Sequence, residues 1–140
     1  MTMTAARATS IGAPGYSQTF PSVPESAGLA RGLVATALRV WRLEALLNES
    51  TLVATELVAN AVQHGSGRYL AFSVERPSPF RVRIRVTDQS RVRPVPQWPN
   101  DEETRGRGLL LVAALAVGWG ADVHASGKTV WADVMDEAGT

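Results

Sequence analysis

The spacing of apolar residues changes several times along the chain, and each change marks an element. Leu29, Leu33, Val34, Ala37, Leu38 and Trp41 recur at helical spacing, which predicts a first helix over residues 24–41. Pro24 suits the first turn of that helix, with Ser22 or Val23 just before it. A second helix is expected from Asn48 or Ser50, either of which can cap it, to Gln63, with Gly65 and Gly67 as its stop. Ahead of both, residues 18–23 read as a short edge strand, because Pro21 and Pro24 limit pairing. Period two then takes over. Leu70, Phe72 and Val74 alternate within residues 69–75, and Val82, Ile84 and Val86 alternate with Arg81, Arg83 and Arg85 within residues 80–88. The intervening turn, residues 76–79, makes these two strands a hairpin. A short apolar helix over 108–116 and a last hairpin, 117–124 with 128–135 around Ser126-Gly127, complete the pattern.

Helices grouped against hairpins predict an α/β (α+β) two-layer sandwich: a mixed, mostly antiparallel sheet covered on one face by three helices. Residues 1–17 have no apolar run to bury and are expected to be a disordered tail. A single domain over 18–136 and a short tail over 137–140 follow. Residues 89–105 hold three prolines and no sustained period, which makes them a loop of functional length.

The length of 140 residues suits one domain, and a hydrophobic fraction of 45% suits one real core. With 14 basic and 13 acidic side chains the net charge is +1, so nothing global points to nucleic acid or a membrane surface. There is no cysteine, which excludes disulfides, thiolate catalysis and cysteine zinc sites, and the only histidines are His64 and His124. No apolar run reaches the roughly 18 residues of a membrane span. No secretory signal opens the chain, and together with the lack of cysteine this is read as cytoplasmic.

The second helix carries the most informative chemistry. Glu56, Asn60 and His64 are spaced i, i+4, i+8 and share one face, beside an apolar surface of Leu52, Val53, Leu57, Val58, Ala61 and Val62. A carboxylate, an amide and an imidazole in line can coordinate Mg²⁺ and orient a nucleophile. The solvent face of an ordinary amphipathic helix has the same spacing. Asp88 closes an apolar strand, where a carboxylate can accept from an exocyclic amine such as that of adenine; strand-end punctuation fits equally. Gly106 and Gly108 open a helix, whose free N–H groups favour phosphate, and Arg105 and Arg107 flank them. No Gly-Lys-Ser/Thr follows, so this is not a Walker-type loop, and the third glycine of a dinucleotide fingerprint is missing. The row Arg81, Arg83, Arg85 reads as an open sheet face, either solvated or partner-binding.

In this order the pieces resemble the ATPase superfamily of gyrase, the large heat-shock chaperones, histidine kinases and the mismatch-repair protein MutL. Residues 56–65, Glu-Leu-Val-Ala-Asn-Ala-Val-Gln-His-Gly, look like its N box; Asp88-Gln89-Ser90 stands where its first glycine box has Asp-x-Gly; Gly106-Arg107-Gly108-Leu109 looks like its second. Gly127-Lys128-Thr129-Val130-Trp131 resembles the closing strand of actinobacterial-style members. The resemblance spans about residues 20–134, and the chain is most similar to the stand-alone anti-sigma-factor serine kinases.

That resemblance implies a Bergerat-type fold, ATP and Mg²⁺ as cofactors, and protein-serine kinase activity towards an anti-sigma-factor antagonist, with a sigma factor as partner and a homodimer as a common assembly. It gives Glu56 the general-base role and Asn60 the metal. Asp88 would read adenine with Thr129 in support. Gly106, Arg107, Gly108 and Leu109 would meet the phosphates, with His64 as a neighbour, and the Pro-rich loop would be the ATP lid. Ser90 departs from the expected glycine. Two other expectations compete: an interaction module whose nucleotide pocket only tunes partner binding, and an unrelated two-layer domain with no nucleotide site.

Overall fold

A computed structural model describes residues 7–8, 14–94 and 107–136. Apart from β1, which lies in the expected disordered tail, and a 3-10 turn, the elements follow the predicted order: β1 (Arg7–Ala8), β2 (Pro14–Pro21), α1 (Ser26–Trp41), a 3-10 turn (Glu44–Leu46), α2 (Leu47–His64), β3 (Tyr69–Ser78), β4 (Arg81–Asp88), α3 (Arg107–Leu115), β5 (Gly118–His124) and β6 (Gly127–Met135). They form one antiparallel sheet in the order β1-β2-β3-β4-β6-β5, with the helices packed on one face. This is the expected α/β sandwich.

The alternation read in the sequence explains which side is covered. Residues directly opposite in a ladder point the same way, and the pairs Phe72↔Val86, Ile84↔Ala132, Val86↔Val130 and Val82↔Val134 all lie on the helix side. There they pack with Ala30, Val34, Ala37 and Leu38 of α1 and Val53, Leu57, Val58 and Ala61 of α2 into one apolar core. Phe20 and Phe72 stack across β2 and β3 at 5.8 Å, and Tyr16 reaches Trp41 at 6.0 Å.

Local differences from the sequence expectations have local causes. β2 begins at Pro14, so residues 14–17, expected in the tail, pair with β3 from Gly15↔Glu75 onward; β1 then covers part of the edge that β2 was expected to leave open. β2 ends at Pro21, and Val23 is in the turn that follows. Pro24 belongs to the turn before α1; Ser26, fully buried, donates from Oγ to the Pro21 carbonyl at 2.6 Å and ties the helix start to the strand end. α2 grows straight out of the 3-10 turn, starting at Leu47, so neither Asn48 nor Ser50 caps it. Leu52, counted with the apolar surface, is exposed. α1 stops where Arg42 takes a left-handed conformation, letting Leu43 N–H reach back to the Leu38 carbonyl while Leu43 buries its side chain. The tail 137–140 and residues 95–106, which hold most of the expected lid, lie outside the described residues. No helix among the described residues is long and apolar enough to cross a membrane.

Candidate nucleotide site

α2 links two places that the sequence flagged separately. At one, a side chain added to Gly108, the second residue of α3, would run into Glu56 Oε2 and come within 3.3 Å of Glu56 Cβ. The Glu56 carboxylate thus fills the space left by Gly108. At the other, a side chain on Gly65, just past the end of α2, would fall 2.7 Å from both Cγ and Oδ2 of Asp88. Glu56 and Gly65 are separated by roughly 13 Å of helix at 1.5 Å per residue, a span comparable to an extended nucleoside triphosphate. Asn60 stands between them on the Glu56 face, half-buried. His64 is exposed and lies at the Asp88 end, about two turns from Glu56, so it is not brought to Gly108 as its expected phosphate role requires.

Asp88 is 3% exposed. Its Oδ1 accepts the Ser90 backbone N–H at 2.6 Å, an Asx turn that fixes the carboxylate. Ser90 does this without positive φ, so the conformation does not demand the glycine of the family pattern. Gln89, oriented with its amide nitrogen inward, donates to the carbonyls of Ser66 and Tyr69 at 2.6 and 3.2 Å, clasping the loop after α2 to the end of β4.

The register sets Lys128 across from Asp88 and turns Thr129, expected to support Asp88 at the base, away from it. Asp88 pairs with Lys128, and Thr87 pairs with Thr129. Thr129 therefore lies on the sheet's other side, its hydroxyl 2.8 Å from that of Thr87 and 3.3 Å from His124 Nε2. Lys128 is 1% exposed, with its ammonium 3.0 Å from Asp88 Oδ2 and 3.2 Å from Oδ1. Despite the ion pair, Oδ2 accepts no well-directed hydrogen bond among the described residues; the short distance marks charge attraction, not a bond along a lone pair. Sequence reasoning missed Lys128. The signal was in the hairpin: a strand resuming right after Gly127 puts its next residue opposite the end of β4.

Gly108 and Leu109 can offer backbone N–H groups at the start of α3, since the Leu109 side chain is buried in the core. Arg107 opens the helix, but its side chain, with Arg105 and Gly106, lies outside the described residues. Among the described residues no cluster of three or more His, Asp or Glu side chains could hold a metal ion.

On the helix-free face the arginine row is internally paired. Arg83 donates to Asp133 at 2.7 and 2.9 Å and lies 5.0 Å over the Trp131 ring; Arg81 reaches Asp133 and Arg85 reaches Glu75, both at 3.4 Å. Asp133 and Glu75 are buried. The Asp133 hydrogen bond holds the Arg83 guanidinium above its usual, already high, range. Trp131 in turn lies across Gly120 and Gly118 of β5. This face is an ion-paired, interlocked layer, not a free cationic strip.

A helix-covered antiparallel sheet, with a polar helix line running from a strand-end Asp to a glycine at a helix start, is consistent with a nucleotide-binding ATPase fold. A family model for the histidine kinase-like ATPase domain matches residues 20–133, and the chain belongs to that family. A search of curated proteins finds no match.

Proposed function

We propose that this domain binds Mg·ATP along α2 and transfers the terminal phosphoryl group to a serine of a partner protein, as an anti-sigma-factor serine kinase. The observation that carries the reading is the double contact of α2, with Glu56 at Gly108 and Gly65 at Asp88. The residues fit the nucleotide: Asp88 Oδ2 is a buried acceptor with no hydrogen bond of its own, suited to an exocyclic amine, and the α3 start supplies N–H groups to phosphate. Bound Mg²⁺ would supply charge neutralisation at the phosphates, with Asn60 as its protein contact and few other protein ligands needed. Glu56 would take the proton from the attacking serine hydroxyl. An antagonist protein as substrate, a sigma factor as partner, a homodimer and a cytoplasmic setting complete the proposal.

A second reading has an observation in its favour. Lys128 already neutralises the Asp88 charge, so a base amine gains less from that carboxylate and nucleotide binds weakly; the domain then works as a partner-binding module. Calorimetry with Mg·ATP followed by radiolabel transfer to a candidate antagonist separates the two. Binding with transfer supports the kinase, and binding without transfer the module. If saturating Mg·ATP leaves the melting temperature unchanged, both fall, because a ligand specific to the native state must stabilise it.

A further inference from the structure

Lys128 has no assigned part in the site so far, yet it is one of the largest fully buried side chains in the domain. An ammonium has three N–H donors, and its partner among the described residues is a single carboxylate, Asp88. A donor is left over. Asp88 Oδ2 beside it is an acceptor left over. Burying such a pair costs desolvation of two charges that their attraction about offsets, and each unused group in this setting gains from a partner brought by a ligand. A spare acceptor next to a spare donor is the complement of one edge of adenine, where the C6 amine donates and the adjacent ring N1 accepts. Guanine presents the reverse order, an acceptor at C6 and a donor at N1, and would place like groups against each other.

The geometry points to Lys128 as a base-reading residue: its ammonium donates to adenine N1 while Asp88 Oδ2 accepts from the C6 amine. This takes the place expected for Thr129, which the register turns to the opposite face. The inference rests on the nucleotide reading proposed above and adds to it the residue that sets base specificity.

The test is a calorimetric titration of the full chain with Mg·ATP, Mg·GTP and Mg·1-deaza-ATP, in which N1 is replaced by C–H. The wild-type chain is expected to prefer ATP over 1-deaza-ATP by about 10- to 100-fold, the strength of a hydrogen bond to a charged donor, and over GTP by at least as much. In Lys128→Met the preference over 1-deaza-ATP should vanish, with ATP falling to the affinity of the analogue. Because that variant leaves Asp88 buried without its cation, Asp88→Asn/Lys128→Met carries the same expectation with no charge stranded in the core. Equal binding of ATP and 1-deaza-ATP by the wild-type chain overturns the assignment while leaving nucleotide binding intact, as does a discrimination that survives loss of the lysine. No binding of ATP at all overturns this inference and the nucleotide reading together.

Discussion

The carboxylate of Glu56 occupies the space that a side chain at Gly108 would need. One residue comes from the middle of α2 and the other from the start of α3, so the packing of two helices, not a single motif, sets where the proposed base sits.

Removing that carboxylate should separate binding from chemistry. Glu56→Ala is expected to keep its affinity for Mg·ATP within about threefold and to lose about 10²- to 10⁴-fold in phosphoryl transfer, the usual contribution of a general base. Titration calorimetry and a transfer time course measure the two. Transfer at the parent rate sinks the base assignment.

Gly108→Ala should displace the Glu56 carboxylate, costing about 100-fold in transfer, as small misplacements of catalytic groups do. Stability should fall by less than about 1 kcal/mol, since the obstacle is largely the movable end of a side chain. In the Glu56→Gly background, which removes the Cβ as well as the carboxylate, the same alanine should instead add about 0.5 kcal/mol, as helix propensity then acts alone. Urea unfolding of the four chains of this cycle reads the change of sign.

Two other glycines should respond in opposite directions. An added side chain at Gly127, whose φ is +156°, would strike the backbone carbonyl of Asp88, which cannot swing away. Gly127→Ala is expected to cost about 2–4 kcal/mol. Gly32, exposed on α1, has nothing within 4 Å of an added Cβ, so Gly32→Ala should gain about 0.5–1 kcal/mol. Thermal melts of both variants decide it.

Arg83→Gln should cost about 2 kcal/mol by breaking the forked contact with buried Asp133. The folded state raises the guanidinium pKa, so its contribution is complete below the ordinary guanidinium pKa and is lost only as pH climbs through the raised value. The stability difference between the two chains should therefore be the same at about pH 7 and about pH 10. Urea midpoints that converge over this range contradict the pairing.

What was legible in the sequence followed from periodicity and turn residues. Leu33, Val34, Ala37 and Leu38 marked the buried stripe of α1, and Val82, Ile84 and Val86 the covered side of β4, because helix and strand each stamp their own repeat on the chain. The line Glu56, Asn60, His64 was visible for the same reason. What Glu56 faces was not, since Gly108 reaches it through the tertiary packing of α3. The misplacement of Thr129 had another origin: a shift of one residue in a ladder turns a side chain to the opposite face, and similarity to a motif does not carry register. The arginine row was visible but its partners were not, because Asp133 arrives from β6, 50 residues further along.

The place of β6 between β4 and β5 imposes an order on assembly. The cation that neutralises Asp88 lies 40 residues downstream of it, so a nascent chain that has emerged only through β4 holds a carboxylate at its strand end with nothing to balance it. The helical half can collapse early from short-range contacts, but the Asp88 end closes only after the intervening chain has been looped back and the late hairpin docks, the slow kind of step for which non-local pairing is known. The Asp88–Lys128 pair therefore forms only once synthesis has passed Lys128.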